Sequence, residues 1–191
     1  MRIDAKLNLI VPVDQADGSR VFVHVTPVSR EVFETYYLSI SRAFTEIYTN
    51  GLNVASGPKV AALVLKDVAT RMGVWDTPGG VRQGLVEEIR RLSNVVFPGP
   101  GGWSSLPLMV AVAKDIISEE DAAEAEGVAT FFILNCLMHK KKNLAPTLTL
   151  MSGLWETQTS SSGVMEFAGS LRTSTEDAST GATLTPSSVP S

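Results

Sequence analysis

Cysteine is nearly missing from this chain. Cys136 is the only one, so no internal disulfide can form, and its apolar setting beside Leu137 suits a reducing compartment. Histidine is almost as scarce: with His24 and His139 alone, a four-ligand structural zinc site would need carboxylates to complete it. Positive charge is not in excess either. The net charge is −4, the isoelectric point is near 5.2 and the basic residues lie scattered among acids, so there is no cationic field for a phosphate backbone. No apolar run reaches the roughly eighteen positions of a membrane span, and the opening residues lack the charged, apolar, small-residue order of a signal peptide. Nucleic acid and membrane are therefore not expected as partners, and the cytoplasm is the expected location.

What is present is enough apolar material for a core. Hydrophobic residues make up 44% of 191 positions, which suits one domain with an appendage. Two β-branched runs, Leu7 to Val13 and Arg20 to Val25, flank a turn from Asp14 to Ser19 that contains Asp17-Gly18, and they predict a hairpin over residues 7–25. A lone hairpin needs something to lie on. Residues 29–49 supply it: Ser29 is placed to cap, Val28 and Phe33 to staple, and Val32, Tyr36, Ile40 and Ile47 form a stripe beside Phe33, Tyr37, Phe44 and Tyr48 that ends at Asn50-Gly51. A second helix over 58–72 starts at Pro58, carries Val60, Leu63, Val64 and Val68, and stops at Gly73. A third over 81–95 turns Leu85, Val86, Ile89 and Leu92 inward and spaces Glu87 and Arg91 for a surface pair. Pro98 to Gly102 then reads as a connector anchored by Trp103. Residues 107–117 fit a short helix or a buried strand around Met109 to Val112, and the helix is favoured. The last long helix, 118–141, has Ser118 as its cap, Asp121 three residues on, Glu119, Glu120 and Glu124 near its positive end, and Lys140-Lys141-Lys142 at its negative one. The expected class is α+β, predominantly α-helical, with an N-terminal hairpin packed on a helical domain spanning 1–150.

Candidates for chemistry each have a simpler reading. His24 alternates with Val23 and Val25 in a strand, which fits a structural or surface histidine. Cys136 and His139 have helical spacing for two metal ligands, but a thiol among apolar neighbours is an inert one. Neither Thr77-Pro78-Gly79-Gly80 nor Pro98 to Gly102 carries phosphate-loop or dinucleotide spacing. No catalytic, cofactor-binding or metal-ligating residue is assigned, and the chain is expected not to be an enzyme.

Beyond the domain, residues 151–172 form an amphipathic island with Leu154, Trp155, Val164, Met165, Phe167, Ala168 and Leu171. This segment either docks a partner or packs back on the domain. Residues 173–191, rich in Ser and Thr, carry too little apolar surface to offset ordering and are expected to be disordered.

Three strings carry a resemblance: Lys6-Leu7-Asn8-Leu9-Ile10-Val11-Pro12-Val13, then Val23-His24-Val25-Thr26-Pro27-Val28-Ser29-Arg30-Glu31-Val32-Phe33-Glu34, and late in the chain Met165-Glu166-Phe167-Ala168-Gly169-Ser170-Leu171-Arg172-Thr173-Ser174-Thr175. Over nearly its whole length the chain resembles a tail assembly chaperone of long-tailed, siphovirus-type bacteriophages. The resemblance implies a non-catalytic helper in the host cell cytoplasm that binds and solubilises the tape measure protein and helps recruit tail tube subunits. It also implies a longer, frameshifted product reaching the tube protein. Action as several copies along the client is compatible with this reading. The partner-binding candidates that follow are Tyr36, Tyr37, Phe44, Phe131, Phe132, Trp155 and Phe167, with an apolar groove sought between the first long helix and the last. The competing expectation is a structural tail completion or connector protein of the virion.

Overall fold

The computed structural model describes residues 7–179, with the side chains of residues 141, 142 and 172–179 left aside. The expected hairpin is there, as β1 (Asn8–Asp14) and β2 (Arg20–Val25), with Leu9 opposite Val25 and Asp14 opposite Arg20. Gly18, at φ +82°, takes the left-handed position that the turn requires. The hairpin is not alone, however. It forms part of a five-stranded antiparallel sheet with β3 (Ser93–Gly99), β4 (Gly102–Pro107) and β5 (Gln158–Ser160), in the order β4-β3-β2-β1-β5.

Strands β3 (Ser93–Gly99) and β4 (Gly102–Pro107) correct two expectations. The third helix does not reach residue 95: a π-helical turn at Val81–Val86 runs into α3 (Glu87–Arg91), and the chain is extended from Ser93. The β-branched pair Val95-Val96 followed by Phe97 fits a pleated surface better than a helix. The expected Glu87–Arg91 pair is replaced by Arg90 with Glu87 and Arg91 with Glu88, at 3.0 and 2.6 Å. Pro98 and Gly99 belong to β3, and only Pro100-Gly101 turns the chain between the strands. Trp103 does anchor this region, its ring centroid 5.7 Å from that of Phe22. Helix α4 (Leu108–Ala113) is a shortened form of the helix expected over 107–117.

Helices α1 (Arg30–Thr49), α2 (Gly57–Arg71) and α5 (Glu119–Met138) lie where periodicity put them. Ser29 and Ser118 cap as anticipated, accepting from the amides of Val32 and Asp121 at 3.3 and 3.0 Å. The chain leaves α1 at Gly51 by paired bonds, Gly51 N to Tyr48 O and Leu52 N to Ile47 O, and leaves α2 at Gly73 in the same manner. Every residue from Gly127 to Asn135 is buried, so this stretch of α5 is enclosed on all sides and runs through the centre, while its first turns stay acidic and partly exposed. It packs on the sheet face that carries Leu9, Val11, Val21, Val23, Val25 and Val95.

α5 ends at Met138. His139 and Lys140 are extended, and the lysines sit at the start of α6 (Lys141–Trp155) instead of closing the helix expected to end at 141. Strand β5 (Gln158–Ser160) then pairs with Asn8–Ile10 of β1, and α7 (Val164–Ser179) crosses the other face of the sheet. Within the 151–172 island Met151, Trp155, Phe167 and Ala168 pack on the domain, whereas Leu154 and Met165 stay exposed. Helix α7 continues into the stretch expected to be without order, and residues 180–191 of that stretch lie outside the described residues.

Candidate functional site

α2 buries the expected Val68 together with Ala61, Leu65 and Ala69, whereas Val60 and Val64 of the expected stripe are only half-buried and Leu63 is not buried at all. The reason is the close approach of α5: a Cβ on Gly127 would lie 2.5 Å from the Pro58 carbonyl oxygen, and one on Gly57 would lie 2.5 Å from the Phe131 ring. Small residues are selected on that side, and Leu63 is turned outward, 64% exposed.

On the outward side, α2 faces α3 and the first turns of α5 across a groove. Two adjoining hollows of about 570 and 400 Å³ share Ala62, Leu63, Arg90 and Glu126. Leu65, Trp75, Val86 and Thr130 line the larger one and Ala123 the smaller, while Lys59, Lys66, Arg82, Asp76 and Glu124 stand at the margins. Arg90 and Glu126 clasp each other between them, Nε to Oε2 at 2.7 Å and Nη2 to Oε1 at 3.3 Å. The Glu126 hydrogen bond is the main cause holding the Arg90 guanidinium above its ordinary range. The groove therefore joins an apolar floor to fixed charges of both signs. That is the chemistry of a seat for an amphipathic helix, whose apolar stripe would lie over Leu63 and Trp75 while its polar flanks meet the margins.

The partner-binding candidates named from sequence do not come together there. Phe131 and Phe132 are fully buried core residues. Tyr36 bolts α1 to the π-turn, its hydroxyl donating to the Gly79 carbonyl at 2.8 Å over the space left by Gly84. Tyr37 is exposed, its ring edge-on to Phe33 at 6.5 Å. Phe44 stacks between Tyr48 and His139 at 4.7 and 5.2 Å. Beside it the Tyr48 hydroxyl donates to Asn135 Oδ1 at 2.6 Å, and burial raises the Tyr48 phenol. The space between α1 and α5 is thus filled by packed rings. Trp155 donates its indole N–H to the Val54 carbonyl at 2.8 Å, and Phe167 packs on Phe22 and His24.

The residues considered for chemistry are just as engaged. His24 is buried, with Nε2 3.0 Å from the Ser162 carbonyl oxygen, to which Asn8 Nδ2 also donates at 2.8 Å. His24 Nδ1 and Asn8 Oδ1 find no partner among the described residues. Burial pushes the Cys136 thiol up to about 12, far from the range of a nucleophile. Among the described residues no three His, Cys, Asp or Glu side chains are grouped to hold a metal ion.

Sequence reading missed the groove because its best signal, Leu63, looks like one more core residue of an amphipathic helix. Arg90 and Glu126 lie 36 positions apart, with nothing local to join them.

No protein-family model, curated protein or solved structure matches this chain.

Proposed function

We propose that the protein is a non-catalytic tail assembly chaperone of a long-tailed bacteriophage, working in the host cell cytoplasm. It binds the tape measure protein, keeps it soluble and helps recruit tail tube subunits, the latter through a longer frameshifted form. The observation that carries the reading is the groove between α2, α3 and α5. There the exposed Leu63 stands over an apolar floor beside fixed charges. A long client with apolar helical stripes is the kind of chain such a groove fits, because each stripe needs a surface that excludes water and each polar flank needs a margin that does not. The three strings of family resemblance support the same reading.

Co-expression with the long coiled-coil-rich product encoded downstream tests it. Soluble yield of the client should rise and the two chains should co-purify, and Leu63→Asp should abolish both while the chaperone itself stays folded. A client that stays insoluble, with this protein recovered instead in finished particles, would replace the proposal with the tail completion or connector reading.

A further inference from the structure

Helix α6 is poorly supported by its own domain. Lysines open it against the helix dipole, Pro146 interrupts its interior, and Leu144 and Met151 are its only buried side chains among the described residues. What it shows to solvent is uncharged. From Asn143 to Trp155 there is no Asp, Glu, Lys, Arg or His, yet Ala145, Pro146, Thr149 and Ser152 are exposed, and Leu150 and Leu154 are 54% and 58% exposed. Set four residues apart, Pro146, Leu150 and Leu154 share one face.

Charge is confined to the two ends of this face and differs in sign. At the N-terminal end stands Lys140-Lys141-Lys142, of which Lys140 is exposed and has no ion pair among the described residues. At the other end Leu154 and Trp155 border a cleft of about 300 Å³ against β1 and the first turns of α5. Val11, Val13, Ala125 and Val128 give it an apolar lining. Four carboxylates, Asp14, Asp121, Glu124 and Glu156, stand against the single guanidinium of Arg20, a balance of −3. Arg20 is already engaged, 2.6 Å from Asp14 and 3.3 Å from Glu156. Asp121 accepts from Ser118 Oγ at 2.7 Å, and Glu124 has no cation beside it among the described residues. The negative pole of α6 falls at this same end.

We propose that α6 is a homodimer contact, on which a second copy of this chain lays its own α6 antiparallel about a two-fold axis near the middle of the helix. The charge pattern selects the occupant. The face calls for a helix with an uncharged apolar stripe and cations at one end, the end that falls on the cleft. α6 has that pattern itself. Antiparallel pairing carries the lysine run of each copy to the carboxylates of the other, twice over by symmetry, and closes the leucines over one another. Parallel pairing would set like charges together at both ends, and an uncharged partner would cover four carboxylates without compensation. Of the residues lining the cleft only Glu124 also borders the groove beside α2, so this contact stands without the chaperone reading.

Size-exclusion chromatography with light scattering on the full chain alone tests it. A species of twice 20.4 kDa is expected at high concentration, weakening as salt is raised. Leu154→Gln should weaken the dimer about tenfold or more, since symmetry counts each substitution twice. Lys140→Glu should weaken it about tenfold without lowering the melting curve, because a carboxylate suits the positive pole of α6. Glu124→Lys should do likewise, and mixing it with Lys140→Glu should restore a dimer, since each repelling pair is then replaced by an attracting one. A wild-type chain that stays at 20.4 kDa up to about 1 mM overturns the proposal. So does a dimer that the folded Leu154→Gln or Lys140→Glu variant leaves unweakened, or a mixture that regains nothing.

Discussion

Helix α2 has two flanks, and they are built by opposite rules. Toward α5 it is closed. Gly57, Ala61 and Gly127 let the two backbones approach until no added carbon fits, and Phe131 fills the last space. Toward α3 it is open, with a large apolar side chain turned to solvent and an ion pair standing in the gap. The contrast separates scaffold from surface within a single helix. The closed flank fixes where α2 sits, and that rigidity lets the open flank hold Leu63 out without collapsing onto it.

The largest break in this comparison should come from Gly127→Val, which forces α2 away from α5. A loss of about 3 kcal/mol or more is expected, read as a fall in Tm of roughly 6–12 °C. The Arg90–Glu126 clasp comes next. Its side chains are 30% and 15% exposed, so a double-mutant cycle with Arg90→Met and Glu126→Gln should return a coupling of about 1–2 kcal/mol that salt only partly screens. Leu63→Asp should sharpen the contrast from the other side, changing denaturant stability by less than about 0.5 kcal/mol while removing client binding. The smallest effect concerns pH. The Arg91 hydrogen bond holds the Glu88 carboxyl below its ordinary 4.5, so its contribution is present above that value and is lost as pH falls through the lowered one. Glu88→Gln should therefore make the acid limb of the stability curve slightly shallower. As a control on the closed core, Cys136 should react with a thiolate-seeking reagent at pH 8 about 10³-fold more slowly in the native protein than in denaturant.

Much of the scaffold was legible in the sequence, and each element for a local reason. The caps Ser29 and Ser118, the exits at Gly51 and Gly73 and the Asp17-Gly18 turn act within a few residues of themselves, and the structure uses all of them. Three kinds of feature escaped. β3 and β4 escaped because Ser93 to Pro107 neither alternates nor repeats at helical spacing, and its strand character comes from having β2 as a neighbour. Helix α6 escaped because its first turn carries lysines against the helix dipole and its interior holds Pro146, so packing through Leu144 and Met151 must hold it. The groove escaped because exposure is not a property of Leu63 but of the glycines opposite, which claim the other side of its helix.

The placement of β5 also sets a clock. Asn8 reaches Ser162 across 154 positions of chain, whereas β1 meets β2 within one short turn. On a ribosome adding roughly 5–20 residues per second, the N-terminal hairpin would emerge roughly 7–30 s before the strand that closes its outer side. During that interval the nascent chain exposes an open strand edge at Asn8–Ile10, and Pro12 further along is its main built-in deterrent to pairing with a neighbour on the same message.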